Sequence, residues 1–408
     1  MCPTDKLAPI SAMVDSDSDD SSVSMSDSDE QPSGNEENPI DEEENEENPI
    51  DEEEDEVIKA IRLASKKKKN HPPPIRLEED LTSISFHPHE DILAVSDALG
   101  DVNLYKYSLE ENTNIGTLEL HTRSCRGMDF SHDGKTLFTI GSDKAIMLSD
   151  MATKKLIKFY EDAHDSPMYC ISVLGEHIFG TGDDDGHIRL WDPRVPQQIY
   201  KARRNEEYIS QMITNEEEKY LLCTSGDGSL TTFDLRNRNF LVQSEEYEED
   251  LTCIGLFRDE TKVVVGTNKG KYLIFNWNQF GLHSDVFPGP KHPINAIVPI
   301  TENIVVTAHD DGIIRATHLF PHRHLGIVGQ HENSIVETVD ICNNGTFIAS
   351  LGMNSDINFW NIEYFADFDK VNNKHNKHDS KREMKNNLPS SKYGNASSFF
   401  SGLVDEES

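Results

Sequence analysis

The chain of 408 residues has no apolar run near the roughly 18–20 residues that a membrane-spanning helix needs, so we expect no such helix. Residues 1–30 also lack the apolar stretch of a secretory signal, and we therefore expect the protein not to be exported. The six cysteines are far apart and never form a Cys-x-x-Cys pair. This spacing argues against a disulfide framework or a zinc ribbon and indicates a reducing compartment inside the cell.

Basic residues are scarce as well. The 38 lysines and arginines are outnumbered by 74 aspartates and glutamates, which gives a formal net charge of −36. Residues 1–56 hold 22 acids and one base, a net −21, so residues 57–408 keep 52 acids and 37 bases, a net −15. Because binding to phosphates requires a basic surface, we expect no direct DNA binding and no membrane partner, and RNA contact only within a larger particle.

The acids are concentrated in an arm, residues 1–56, in which NEENPIDEEE occurs twice in tandem. The arm has too few apolar residues to compensate the entropy of ordering, so we predict that it is disordered. Its serines alternate with aspartates, a pattern typical of substrates of acid-directed kinases. Two interpretations remain open. The arm binds basic partners, such as histones or ribosomal proteins, or it only keeps the protein in solution.

A basic linker, residues 57–74, follows the arm and reverses the sign of the charge. It contains four consecutive lysines, Lys66, Lys67, Lys68 and Lys69, followed by the prolines 72–74, which hold such a cluster extended. A cluster of this kind is typical of a nuclear import signal. We favour that interpretation over a solvated linker that pairs with the acidic arm.

A repeat of 42 residues organises residues 75–362. Gly186, Gly228, Gly270 and Gly312 are spaced 42 residues apart in turn-forming stretches, and the register extends to three further units around residues 100, 144 and 355. Each unit contains alternating stretches rich in Val, Ile, Tyr, Phe and Thr, which are typical of strands. Such units predict the blades of a β-propeller. We therefore predict an all-β fold, a seven-bladed propeller with a disordered acidic N-terminal arm and a short disordered C-terminal tail.

Two short segments flank the repeats. Residues 75–77 precede the first unit, and we predict that they supply the outer strand of the seventh blade and so remove an open strand edge. Residues 362–368 are expected to form a short helix or a packed extension. The C-terminal segment, residues 363–408, is polar, and we predict that it is mostly disordered.

No motif in the sequence indicates catalysis or the binding of a cofactor or metal. Residues 266–272 lack the spacing of a P-loop and precede a strand, and the acidic turn at residues 183–186 lacks the alternating ligands of a calcium loop. His375 and His378 lie in a basic tail without further ligands. No serine–histidine–aspartate elbow or pair of catalytic carboxylates stands out. We predict a protein that is not an enzyme and takes no cofactor.

Together, these features resemble the WD-repeat β-propeller family, which is named after the dipeptide that stands here as Trp191-Asp192. WD repeats commonly carry a hydrogen-bonded set of His, Ser or Thr, Asp and Trp within one blade. The resemblance places this structural tetrad in the third unit at His164, Thr181, Asp185 and Trp191. Three other units keep it in part, at His121, Thr139, Asp143 and Ser149, at His292, Thr307, Asp311 and Thr317, and at His331, Ser350, Asn354 and Trp360.

A second resemblance concerns the turn after Trp191. The sequence from Asp185 to Asp192-Pro193-Arg194 resembles the Asp-Trp-Asp-x-Arg box of WD-repeat substrate receptors of cullin–RING ubiquitin ligases. The next unit repeats it partly, with Asp234 and Arg236. The resemblance implies that an arginine fork of this box binds a ligase adaptor. The six residues that it assigns to this role are Asp185, Trp191, Asp192, Arg194, Asp234 and Arg236. The alternative is that each arginine pairs locally with the aspartate two residues before it.

Across residues 75–362 the sequence closely resembles the WD repeat-containing protein 55 family, in stretches such as CRGMDFSHDGKTLFTIGSDKAI and GPKHPINAIVPI and in units that keep little of the WD pattern. This resemblance implies a nuclear and nucleolar protein, with a cytoplasmic pool left open, that acts in ribosomal RNA production and large-subunit assembly. Its partners would be pre-ribosomal or other nucleolar proteins. The alternative function is that of a ubiquitin-ligase substrate receptor.

Overall fold

A computed structural model describes residues 70–332 and 334–365. This part of the chain forms 28 β-strands and one 3₁₀ turn, Glu363–Phe365, and contains no α-helix. It therefore has no helix that is long and apolar enough to span a membrane. The acidic arm, the lysines 66–69 and the tail with His375 and His378 lie outside the described residues. The predicted all-β propeller is confirmed.

The strands form seven four-stranded antiparallel sheets, which are the blades. The first strand, β1 (Ile75–Arg76), belongs to the last sheet. Blade one consists of β2 (Leu81–Phe86), β3 (Ile92–Asp97), β4 (Asp101–Lys106) and β5 (Thr113–Glu119). Blade two consists of β6 (Cys125–Phe130), β7 (Thr136–Gly141), β8 (Ile146–Asp150) and β9 (Lys155–Tyr160). Blade three consists of β10 (Met168–Val173), β11 (Phe179–Asp183), β12 (His187–Trp191) and β13 (Tyr200–Arg203).

The remaining blades follow the same order along the chain. Blade four consists of β14 (Ile209–Thr214), β15 (Tyr220–Ser225), β16 (Leu230–Asp234) and β17 (Asn239–Gln243). Blade five consists of β18 (Leu251–Phe257), β19 (Lys262–Thr267), β20 (Lys271–Asn276) and β21 (Asp285–Pro288). Blade six consists of β22 (Ile294–Pro299), β23 (Ile304–His309), β24 (Ile313–Leu319) and β25 (His322–Gln330). Blade seven consists of β26 (Val336–Ile341), β27 (Phe347–Gly352), β28 (Asp356–Asn361) and, outermost, β1.

The first strand of each blade is the innermost. Each of these inner strands contacts the inner strand of the next blade, and β26 contacts β2, so the blades form a closed ring. Because neighbouring strands are antiparallel, the turns between first and second strands and between third and fourth strands lie at one edge of every blade, here called the lower edge. The turns between second and third strands, and the connections from blade to blade, lie at the upper edge.

The strand β1 closes the ring as predicted. It pairs with β28 in the register Ile75↔Ile357 and Arg76↔Asp356, so the seventh blade combines both ends of the repeat region. Ile75 is buried in the apolar cluster between blades seven and one, whereas Arg76 is exposed and lies 3.4 Å from Asp356. This pairing covers part of the outer edge of β28, at Asp356 and Ile357, and ties the start of the repeat region to its end.

The core consists of seven apolar clusters, one for each interface between neighbouring blades. Between blades two and three, for example, Phe138 and Phe179 pack with ring centroids 5.0 Å apart, and Trp191 covers Phe179. Burying one such large side chain contributes about 1.5–3 kcal/mol. Stability is therefore distributed around the ring instead of being concentrated in a single centre.

The repeated glycines fulfil the role that their spacing predicted. Gly186, Gly228, Gly270 and Gly312 have φ between 77° and 79°, in the left-handed region that favours glycine. At Gly186 a Cβ atom would collide with the main-chain oxygen of Asn205. The turns around residues 144 and 355 use a non-glycine residue at φ 65° and 60°, so the left-handed position recurs in units two and seven without a glycine.

The chain leaves blade seven through the 3₁₀ turn. Phe365 is fully buried there and joins the cluster between blades six and seven, together with Ile362. Residues Glu363–Phe365 thus form a short 3₁₀ helix that is packed against the ring, and residues 366–368 of the predicted extension lie outside the described residues.

Candidate functional site

Blade three contains a buried network of three hydrogen bonds. Trp191 Nε1 donates to Thr181 Oγ1 at 2.8 Å, and Thr181 Oγ1 lies 2.7 Å from His164 Nε2. His164 Nδ1 lies 3.0 Å from Asp183 Oδ2. These contacts fit a neutral imidazole that donates from Nδ1 to the carboxylate and accepts the hydroxyl proton at Nε2. Burial lowers the pKa of His164, which favours the neutral ring.

The carboxylate of this network is Asp183 and not, as predicted, Asp185. Asp183 is the last residue of β11, and its buried side chain also accepts the main-chain N–H groups of Asp185 and His187 at 3.1 and 2.8 Å. Asp185 lies two residues further, in the exposed turn, where it accepts a hydrogen bond from Ser166. The strand end points one carboxylate toward His164 and leaves the other at the surface.

Blades two and seven contain related networks. In blade two, His121 lies 3.0 Å from both Asp143 Oδ1 and Thr139 Oγ1. Ser149 stands where a tryptophan would, and its buried hydroxyl has no hydrogen-bond partner within the described ranges. In blade seven, Ser350 Oγ lies 2.7 Å from His331 Nε2 and accepts the N–H of Trp360 at 2.8 Å.

Blade six departs from the predicted arrangement. Thr307 Oγ1 lies 2.9 Å from Nε2 of His309 and 3.0 Å from the hydroxyl of Tyr272, which belongs to blade five. His292 is half exposed and lies 3.7 Å from Asp311. A histidine two residues after Thr307 therefore replaces the one in the preceding connection. Burial, together with Arg315, lowers the pKa of His309 to about 4.

The two arginines proposed for a ligase adaptor have different local contacts. Arg194 is exposed, and its guanidinium binds the carboxylate of Asp192 at 2.6 and 2.9 Å. The hydrogen bonds from Arg194 lower the pKa of Asp192 to about 2. Arg236 instead donates to the main-chain oxygen of Glu217 at 3.2 Å, and Asp234 accepts from Asn237 at 2.9 Å. Local pairing, the alternative interpretation, therefore describes Arg194 but not Arg236.

The residues of the predicted adaptor box do not share one surface. Asp185 lies in the turn between β11 and β12, at the upper edge, whereas Asp192 and Arg194 follow β12 at the lower edge. The five residues of β12 span about 16 Å, given about 3.3 Å per residue. Trp191 is 4% exposed and binds Thr181. Only the arginines and their neighbouring aspartates, in blades three and four, remain together at the lower edge.

Sequence reasoning missed a hydrogen bond that recurs between neighbouring inner strands at five of the seven blade junctions. Ser210 Oγ donates to the main-chain oxygen of Leu251 at 2.6 Å, and Asn295 Nδ2 donates to that of Val336 at 2.8 Å. In each case the second residue of an inner strand bonds to the first residue of the next inner strand. The same contact is made by Thr82, Arg126 and Thr252. The signal was a polar residue that recurs at the second position of these inner strands.

It also missed two acids on the inner strands. Asp129 on β6 accepts the main-chain N–H of Val173 at 2.7 Å, and Asp340 on β26 accepts that of Phe86 at 2.7 Å. Each carboxylate thus joins its blade to the next one. Burial raises the pKa of Asp129 to about 7 and that of Asp340 to about 6. Within residues 70–332 and 334–365, no group of three or more potential ligands is arranged to hold a metal ion.

Comparison with known proteins gives consistent matches over the propeller. The sequence profile of the WDR55 family matches residues 72–365. A WD repeat-containing protein 55 homologue from Aedes aegypti is 50% identical over 353 residues, which cover 86% of this chain and 75% of the relative. Homologues of the same name from Drosophila erecta and Drosophila willistoni are 47% and 48% identical over 354 residues. Those matches cover 86% of this chain and 70% and 69% of the relatives.

Proposed function

Because the chain belongs to the WDR55 family, we propose that it is a non-enzymatic WD-repeat scaffold that acts in the nucleolus, in ribosomal RNA production and large-subunit assembly. The observation that carries this proposal is the extent of the similarity. It spans residues 72–365, and so includes blades that keep little of the WD pattern and that a generic WD-repeat protein would not share. The nucleolar role itself is what the resemblance implies for the family.

The contacts of the chemically reactive side chains support a scaffold. His121, His164 and His331 are buried and hydrogen-bonded within their blades, where their ring nitrogens serve packing and registration. Burial raises the pKa of Cys125 and of Cys253 to about 12, so neither thiol is an activated nucleophile at neutral pH. These groups act as structural elements of the ring.

Charge supports partners that are basic proteins. Outside the arm, residues 57–408 carry a net −15, and an acidic surface accelerates and orients the approach of basic partners. Many ribosomal proteins are basic, so the charge agrees with the proposed nucleolar role. The blade turns at the two edges of the ring present the charged side chains that such partners would contact.

Affinity capture of the tagged full chain from nuclear extract, followed by quantitative mass spectrometry, tests the proposal. The double variant Arg194→Ala/Arg236→Ala is compared with wild type and with Arg238→Gln, a control at an exposed arginine in the same turn as Arg236. We expect all three to retain ribosomal proteins and large-subunit assembly factors equally. Depletion of the protein should also cause precursors of large-subunit ribosomal RNA to accumulate.

Two outcomes would contradict the proposal. One is capture without ribosomal proteins or assembly factors, combined with an unchanged pattern of precursor RNA after depletion. The other is a ubiquitin-ligase adaptor that is captured by wild type and Arg238→Gln and lost with the double variant, in the absence of pre-ribosomal proteins. That second result would establish the receptor function instead.

A further inference from the structure

A groove of about 590 Å³ opens at the lower edge between blades four and five. Three turns border it: residues 215–219 before β15, residues 258–261 before β19, and residues 276–278 after β20. Glu260 links the two blades across it, because its carboxylate accepts the main-chain N–H of Glu216 at 2.6 Å. The groove is therefore held in shape by both blades.

The groove has an aromatic wall. Tyr220 and Trp277 line it, with ring centroids 5.9 Å apart, and both are half-buried. Trp277 packs edge-on against the fully buried Phe280 at 5.3 Å, which fixes the indole in place. Of the three tryptophans, Trp191 and Trp360 donate their N–H groups within their own blades. The indole N–H of Trp277 has no acceptor within the described ranges.

The aromatic wall already interacts with a cation. The ammonium group of Lys219 lies 4.6 Å from the centre of the Tyr220 ring, a cation–π contact within the same chain. The face of a tryptophan attracts cations more strongly than that of a tyrosine. No lysine or arginine of the described residues lies over Trp277, so that ring is available to a cation from another molecule.

The rim of the groove is acidic. Glu217, Asp259 and Glu260 line it together with a single base, Lys219. None of the three carboxylates forms an ion pair with any residue that the structure describes. Of the nearby arginines, Arg236 donates to the main-chain oxygen of Glu217 and not to its carboxylate, and Arg258 lies over the ring of Phe320 at 4.2 Å.

The turns around the groove are also strained. Eleven non-glycine residues of the described ranges have positive φ, and five of them lie in these three turns: Glu218, Arg258, Asp259, Glu260 and Asn278. Side chains other than glycine disfavour this region, and such strain is concentrated at binding sites in many proteins. Here the positive-φ conformation of the turns places acidic side chains of two blades around the aromatic wall.

We propose that this groove binds an extended Lys/Arg-rich segment of a partner protein. A cationic side chain lies over Trp277, and its neighbours along the segment pair with the carboxylates of Glu217, Asp259 and Glu260. Charge complementarity selects this occupant, because the rim holds three acids that form no ion pair within the described residues, beside the ring of Trp277. The binding is independent of where in the cell the protein acts, so it extends the proposed function without resting on it.

The test uses the purified full-length chain and an unlabelled oligopeptide of lysine and arginine with blocked ends. Binding is measured by calorimetry and by tryptophan fluorescence, which separates the groove from peptide bound to the acidic arm. The variant Asp259→Asn/Glu260→Gln removes two charges but keeps the oxygen that accepts the N–H of Glu216. The matched control is Glu206→Gln/Glu207→Gln, which removes two exposed charges at the upper edge.

We expect a saturable fluorescence change in wild type that disappears in Trp277→Phe. Asp259→Asn/Glu260→Gln should weaken binding about tenfold, and the control by less than about twofold. Lys219→Gln, which removes the competing cation, should strengthen binding. The proposal is overturned if both double variants bind the peptide with the affinity of wild type, or if the fluorescence change persists in Trp277→Phe. Either result would assign the peptide to the acidic arm or to another face.

Discussion

His164 Nε2 lies 2.7 Å from Thr181 Oγ1 in the buried wall of blade three. The same oxygen accepts the N–H of Trp191. One hydroxyl group on β11 thus satisfies two buried polar side chains, that of Trp191 on β12 and that of His164 in the connection that precedes the blade. In blade four, by contrast, the hydroxyl of the fully buried Thr232 has no hydrogen-bond partner among the residues that the structure describes. The chain thus offers two buried threonines in opposite situations.

This contrast predicts opposite effects for the same substitution. Thr181→Val would leave the imidazole and the indole N–H unsatisfied, and each such group costs about 1–3 kcal/mol, so we expect the free energy of unfolding to fall by about 3 kcal/mol. Thr232→Val would replace an unsatisfied hydroxyl with a methyl group and should be neutral or stabilise by about 1 kcal/mol. Urea unfolding measures both. Equal losses in the two variants would contradict the role assigned to Thr181.

A second prediction concerns the closure of the ring. Ile75 pairs with Ile357 and is 6% exposed, so Ile75→Asp places a charge in the cluster between blades seven and one. We expect a loss of at least about 3 kcal/mol, seen as a lower melting temperature. Arg76→Gln, at an exposed position on the same strand, should change the stability by less than about 0.5 kcal/mol. A melting curve of Ile75→Asp identical to that of wild type would show that β1 does not close the ring.

The turn glycines provide a third prediction through a matched pair. Gly186 and Gly345 both have positive φ, 78° and 68°, but only at Gly186 would a Cβ atom collide with main-chain atoms of the next connection. Gly345→Ala should cost about 1–2 kcal/mol, the penalty of a left-handed alanine. Gly186→Ala adds the collision and should cost distinctly more. Chemical denaturation of the two variants tests this order, and a reversed order would refute it.

The architecture was predictable because its signals repeat. The glycine spacing and the alternation within each unit predict seven blades, and seven units leave residues 75–77 as a strand without a partner in its own blade. The pairing of these residues with β28, which closes the ring, follows because the seventh blade is the one that lacks an outer strand. Repetition makes each unit support the interpretation of the others, which a single motif cannot do.

The choice of carboxylate in blade three was not predictable in this way. Asp143 in blade two stands six residues before Ser149, and Asp185 stands six residues before Trp191, so spacing alone favours Asp185. In blade two, however, the strand position that pairs with the first residue of the inner strand is Gly141, whereas in blade three it is Asp183. Because blade three has a carboxylate at this strand position, Asp183 and not Asp185 binds His164. The sequence of three aspartates does not show which of them faces inward.

The groove and the inner-strand acids depend on residues that are distant in sequence. The groove combines turns near residues 217, 260 and 277, and Asp340 contacts blade one only because the ring is closed. By contrast, the separation of Asp185 from Arg194 was predictable, since a whole strand lies between them. The adaptor residues that remain together, Arg194 and Arg236, stay a prediction that only a binding experiment tests.

The inner-strand carboxylate of Asp129 predicts a dependence of stability on pH. Burial raises its pKa from 3.8 to about 7, so between these values the native state holds a proton that the unfolded state has lost. The free energy of unfolding of wild type should therefore fall, relative to that of Asp129→Asn, as the pH rises from about 4 to 7, by up to about 1.4 kcal/mol for each step of one in pH. The amide keeps an acceptor for Val173 N–H. Asp133→Asn is the control, because Lys135 lowers the pKa of this exposed carboxylate, which is therefore ionised in both the native and the unfolded state over most of this window. Parallel stability curves for wild type and Asp129→Asn would contradict the assignment.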